Sequence, residues 1–306
     1  MIMKTMKIVV RSKVSAEKIE PWKSTHPRPN HYGLIIDGNC DVYSSNGIPI
    51  ILMRRGCFTD EELEEVRKPY REFMRYPSDA RAAYAGYKQS RVIKKDGTLS
   101  KSERSLDENG RMVSVYSSIG GFYESVGGRF PYCRATTYTR DHPEEWAKIA
   151  KHLRKCSRIY KSLLPNFHEI QTEFANKAHP AWVVPGTPFS TISVNNTVCA
   201  AYHQDSGDLK EGFGCMFAMR HGDYSGFELV LPEFSLAVNM RHGDFILFNP
   251  AVWHGNIPPK AEGKKNKDWY RVSVVMYLRN RILGCLSPEE ELKRAKKYNT
   301  RKLESL

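Results

Sequence analysis

Seven short apolar runs crowd the stretch from 187 to 284, at 190–194, 198–202, 215–219, 228–231, 235–239, 244–248 and 271–278. Each is shorter than a packed helix, and Gly, Pro, Asn and Asp separate them, so they read as strands. So many strands in so little chain predict a β-sandwich or barrel rather than one open sheet.

The flanks have a different grain. Residues 1–58 mix short apolar runs with Pro and Gly and read as a strand and loop extension packing on the core. In 59–186, a helical and lid-loop region, Thr59 with Glu62 has the form of a capping box. Leu63, Val66, Tyr70 and Phe73 then recur at helical spacing, which predicts a helix from about 60 to 75. Residues 80–125 are polar, basic and rich in Ser and Gly, and are expected to be loop-dominated. One or two helices are expected over 141–176, broken at Pro165. The core is assigned 187–284, and a basic C-terminal helix and tail 285–306. The expected class is α+β.

An apolar content of 41% over 306 residues supports one main domain. No run approaches the roughly 18 apolar residues of a membrane helix, and the N-terminus lacks a secretory pattern, so an intracellular, non-membrane protein is expected. The seven cysteines form no C-x-x-C pair and are read as reduced, mostly buried thiols. A formal charge of +13 points to a polyanionic partner, with basic runs at 88–95, 260–267 and 293–302.

His203 and Asp205 stand two residues apart, where strand geometry sends both side chains to one face. His254, arriving after a later strand, completes a two-histidine, one-carboxylate set that leaves positions open for a 2-oxo acid and oxygen. Arg271 opens the last strand and offers a guanidinium fork for a remote carboxylate, with Ser273 on the same face as a second donor. Two other His-x-Asp triplets, His221/Asp223 and His242/Asp244, sit in the echo Arg-His-Gly-Asp and read as hairpin turns. By spacing alone, hydrogen-bonded structural histidines remain the competing explanation.

Residues 195–214, with 227–234, 243–248 and Trp253-His-Gly-Asn, resemble the TET/JBP family of nucleic-acid-base oxygenases, nearest its JBP and phage-type branches. The patch at 131–140 resembles the phage-type group as well. The resemblance implies a double-stranded β-helix, a jelly-roll or cupin-like core, with iron(II), 2-oxoglutarate and O2 as cofactors and ascorbate as reductant in vitro. It implies hydroxylation of a pyrimidine 5-methyl group in DNA, thymine to 5-hydroxymethyluracil, with 5-methylcytosine as the alternative. The family's metal ligands fall on His203, Asp205 and His254, and its co-substrate pair on Arg271 and Ser273.

Where TET enzymes carry an asparagine that contacts the flipped cytosine, this chain has Asp208. A carboxylate accepts hydrogen bonds, which suits the N3–H of thymine, although a turn-closing role is an equal alternative. Phe227 stands where glycine is expected beside Gly226. A base held in a pocket must leave its stack, and Phe122 and Tyr123, with Tyr116 and Phe130, are candidates to stack on it or fill its gap, core packing being the alternative. Arg134 is a candidate anchor for 2-oxoglutarate or a phosphate. Two other functions stay open: the same chemistry on a free nucleoside, amino acid or natural-product intermediate, and a non-catalytic DNA-binding module.

Overall fold

The computed structural model describes residues 4–73, 75, 77–94, 96–125, 130–262 and 268–304. The 263–267 part of one basic run lies outside them. Among them, no helix is long and apolar enough to cross a membrane.

Two sheets face one another. The larger runs, in spatial order, Met6–Val10, Cys40–Ser44, Pro49–Arg54, Phe245–Phe248, Gly214–His221, Tyr270–Tyr277, Thr191–Asn196, Ser117–Tyr123 and Arg134–Ala135. The smaller runs Gly255–Asn256, Leu229–Leu231, Leu236–Val238 and Leu34–Ile36. Helices Asp60–Glu72 and Pro143–Leu163 pack on the outer face of the larger sheet. This is the core of a double-stranded β-helix with a helical layer on one side.

Strand alternation builds both interfaces. On Tyr270–Tyr277, Val272, Val274 and Met276 enter the core shared with Leu63, Val66, Tyr70, Ile149, Leu153 and Tyr160 of the helices. On Gly214–His221, Cys215, Phe217 and Met219 do the same, while Met216 and Ala218 turn inward to Leu229, Leu231, Val238 and Phe248 between the sheets. The last strand therefore presents Arg271, Ser273, Val275 and Tyr277 to the space between the sheets.

The predicted helices form. In the first, the Thr59 hydroxyl accepts from Glu62 N–H and Glu62 accepts from Thr59 N–H. Pro165 ends one helix at Leu163 and opens the next, Pro165–Lys177. The Arg-His-Gly-Asp echoes are turns, with Gly222 at φ 70° and Gly243 at φ 76°. Asp244 is buried against Arg55 and accepts from the Gly56 N–H at 3.1 Å, a structural role.

Three expectations need correction. The region 80–125 holds the hairpin Lys88–Ile93/Leu99–Leu106 and the sheet strand Ser117–Tyr123. Its polar composition hid the strands because most of the hairpin faces solvent and needs no apolar alternation. Residues 198–202 are irregular rather than a strand, held by the Ala201 N–H to Tyr84 and the Tyr202 N–H to Thr25. Finally, Cys133 and Cys285 form a disulfide across 152 residues, and only the other five thiols are free. Chain folding brings the pair together from opposite ends of the core, where no local spacing could announce it.

Candidate active site

A cavity of about 420 Å³ opens between the sheets. His203 and His254 face each other across it through a backbone bridge, each N–H donating to the other's carbonyl at 3.0 Å. The bridge, rather than a regular strand at 198–202, holds the two imidazoles together, with ring centroids 4.3 Å apart. The Asp205 N–H is tied to Pro250 O at 3.0 Å, which draws its carboxylate back toward both rings. Ligand atoms of His203, Asp205 and His254 all lie within 4.8 Å of one another.

Each imidazole Nδ1 lies 2.8 Å from a backbone carbonyl, His203 on Ala201 and His254 on Val252. Donation there fixes the tautomer and leaves both Nε2 lone pairs aimed at the cavity. Each Nε2 stands 3.5 Å from an Asp205 oxygen. Those gaps are long for hydrogen bonds and close to the spacing of neighbouring ligands on one ion with bonds of about 2.1 Å. Burial pushes His254 down to about 4, so it is neutral near pH 7. Burial alone would raise Asp205, but the two imidazoles beside it hold it down to about 2. Burial would lower His203 as well, but the adjacent Asp205 carboxylate raises it, so a ferrous ion, which requires neutral imidazoles beside an ionised carboxylate, would displace that proton.

In the same cavity, Arg271 is 4% exposed, and its Nε is buried without a hydrogen-bond partner among the described residues. The guanidinium lies 5.4 Å from the Phe227 ring centroid and 4.0 Å from the Met240 sulfur, and burial lowers its pKa. A buried, underbonded cation strongly favours an anionic ligand. Ser273 is beside it, and Met216, Leu229, Val275 and Phe248 line the same cavity as the histidines. A buried cation, apolar side chains and a three-ligand set in one cavity fit the carboxylate, methylenes and 2-oxo acid end of 2-oxoglutarate. Phe227 takes φ 65°, in the left-handed region, which explains why glycine was expected there. The ring it brings covers Arg271.

Asp208 and Tyr123 line the same cavity. Asp208 lies 3.6 Å from Arg279, whose guanidinium also grips buried Glu124 with Nε at 2.9 Å from Oε1. Burial and the nearby Asp205 carboxylate raise Asp208 well above the usual range. Burial alone would lower Arg279, but its Glu124 hydrogen bond raises it. Gly207 makes room for this guanidinium, since a Cβ there would collide with it.

Phe122 and Arg134 lie outside the cavity lining. Phe122 points to the other face of its strand and packs edge-on to Trp146 and Trp182. The Arg134 guanidinium lies 4.0 Å from the Phe130 centroid and 5.5 Å from that of Tyr123. Tyr116 is half exposed.

Sequence reasoning missed Arg279, Glu124, Arg81 and Tyr84. Arg81 donates to Ser117 at 3.0 Å and Ser193 at 3.2 Å and stacks over Tyr84, whose ring stands edge-on to His203 at 5.7 Å. The cation directly after the last strand was the available signal for Arg279.

The family described as the oxygenase domain of the 2OGFeDO superfamily, TET/JBP, matches residues 118–280, more than half the chain. A thymine dioxygenase JBP1 of Trypanosoma brucei brucei is 34% identical over 196 residues, 63% of this chain and 23% of its own length. A bifunctional helicase and thymine dioxygenase JBP2 of Leishmania infantum is 31% identical over 191 residues, 60% of this chain and 16% of its own. This chain thus spans under a quarter of those relatives. The structure of NgTET1 in complex with 5mC DNA shares the fold with a TM-score of 0.56 at 11% identity, covering 87% of this chain and 88% of that one. The chain belongs to the TET/JBP oxygenase-domain family of the 2OGFeDO superfamily.

Proposed function

We propose that this protein is an iron(II)- and 2-oxoglutarate-dependent dioxygenase that hydroxylates the 5-methyl group of thymine in DNA. The observation that carries the chemistry is the presence in one cavity of three convergent ligands and an underbonded buried guanidinium. The thymine dioxygenase relatives and the charge of +13 support the substrate.

When bound, iron(II) and 2-oxoglutarate supply oxygen activation coupled to loss of CO2, one oxygen atom entering succinate and the other the methyl group. His203, Asp205 and His254 would hold the metal on one side and leave the other side to co-substrate and oxygen. Arg271 and Ser273 would bind the remote carboxylate and so set the depth at which the 2-oxo acid end lies. The apolar walls would exclude water. Asp208, fixed by Arg279, would meet the Watson–Crick edge of an extruded base, with Tyr123 beside it. Arg81 is placed for a phosphate or for the base. We place the protein inside a cell, where such DNA is found.

The test is incubation with iron(II), 2-oxoglutarate, O2 and ascorbate on DNA with and without methylated cytosine, followed by nucleoside mass spectrometry. 5-Hydroxymethyluracil with stoichiometric succinate is the expected result. 5-Hydroxymethylcytosine alone transfers the substrate, and no oxidised base sinks the DNA reading and returns the site to a small-molecule substrate. Asp208→Asn replaces the carboxyl at the base edge with an amide that always carries a donor, and is expected to shift the product ratio toward 5-hydroxymethylcytosine. An unchanged ratio removes Asp208 from base selection.

A further inference from the structure

The hairpin Lys88–Ile93/Leu99–Leu106 forms a two-stranded sheet of its own. A two-stranded ribbon is marginally stable alone, and its root is accordingly pinned. Arg104 pairs with Asp79 at 2.6 Å, and the Ser105 hydroxyl donates to Asp79 O at 2.5 Å. That root adjoins the cavity: Arg81 and Tyr84 line it, and Tyr84 O accepts from the Ala201 N–H at 2.7 Å, two residues before His203. Six strand residues at about 3.3 Å each carry the far end roughly 20 Å from that root.

The far end is where the composition is unusual. Ile93 and Leu99 are direct cross-strand partners, and they are 70% and 55% exposed. Apolar pairs on an isolated ribbon cost solvation and invite aggregation, so an uncovered pair points to a surface that covers it. Exposed Arg91 and Lys94 flank the pair, and with exposed Lys88 at the root they outnumber the exposed acids Asp96 and Glu103, which favours a polyanionic surface. The major groove of a duplex admits a two-stranded β-ribbon, and proteins that kink DNA do so with apolar side chains inserted between base steps.

We propose that this ribbon enters duplex DNA beside the target nucleotide, with Lys88, Arg91 and Lys94 on phosphates and the Ile93–Leu99 pair wedged into the base stack. The wedge offsets part of the few kcal/mol needed to unstack a base, so the base is delivered to the cavity at whose mouth the ribbon is rooted. The inference rests on the reading of the cavity as a DNA-base site.

The test uses the full chain, a duplex carrying 2-aminopurine next to a target thymine, and the same strand unpaired. The double variant Ile93→Ser/Leu99→Ser is expected to lower the duplex-to-single-strand affinity ratio about tenfold, equivalent to about 1.4 kcal/mol, and to abolish the rise in 2-aminopurine fluorescence. Ile93→Met/Leu99→Met keeps an apolar wedge and should preserve both signals. Both pairs replace exposed side chains, so thermal unfolding should match the wild type. A serine variant with the wild-type ratio and fluorescence overturns the wedge while leaving the DNA reading intact. A wild-type protein that binds neither DNA form overturns both.

Discussion

At the scale of single residues, burial decides which groups can act. Arg271 has lost water and has no carboxylate partner among the described residues, so a bound dianion is the ligand it would pair with. Arg271→Ala is expected to weaken 2-oxoglutarate binding by about 3 kcal/mol, more than a hundredfold, measured by calorimetry with a redox-inert metal in place of iron. Arg271→Lys should recover little of this, because an ammonium cannot reproduce the planar fork. His152 shows the opposite use of burial. It sits among Phe58, Tyr70 and Phe217, and desolvation pushes it down to about 4 from an ordinary value of 6.5. The unfolded chain therefore takes up its proton first. Stability from this group is complete above pH 6.5 and is lost as pH falls toward 4, by roughly 3 kcal/mol in total. His254 titrates in the same direction, so the measurement is a comparison. Chemical denaturation of His152→Phe between pH 4 and 7 should show a shallower loss than the wild type, and equal slopes would refute the assignment.

At the scale of elements, capping and strand alternation were open to the sequence. The Thr59–Glu62 box forms as its residues prescribe, and Thr59→Ala is expected to cost about 1 kcal/mol, read as a lower denaturation midpoint with unchanged slope. The pairing of Arg271 with Ser273 was likewise legible, because period two is a property of any strand. The hairpin at 88–106 was not legible: a ribbon in water needs no apolar face, so it carries no alternation. Residues 198–202 erred the other way. Val198, Ala200, Ala201 and Tyr202 read as a strand, yet the hydrogen bonds of this segment go to Tyr84, Thr25 and the backbone of Asn256, two residues after His254.

At the scale of the whole molecule, the Cys133–Cys285 bond joins the segment after Ser117–Tyr123 to the turn following the last core strand. In the chain-entropy picture a closure of this length contributes up to about 5 kcal/mol. Unfolding in reductant, or of a Cys133→Ser variant, should begin at clearly lower denaturant, and coincident curves would show that the bond contributes nothing. The sequence by itself named the candidate donors, through their spacing together with the resemblance to the TET/JBP family. Two imidazoles, a carboxylate and an Arg-x-Ser strand are donor types with few uses together, and the capped helices and short strands around them follow from local periodicity. Only the tertiary structure decided what surrounds that chemistry: Glu124 holding Arg279 against Asp208, Arg81 bridging Ser117 and Ser193, and the ribbon rooted at the cavity mouth. These are pairings between distant residues, fixed by how the sheets stack, and such pairings leave no periodic trace along the chain.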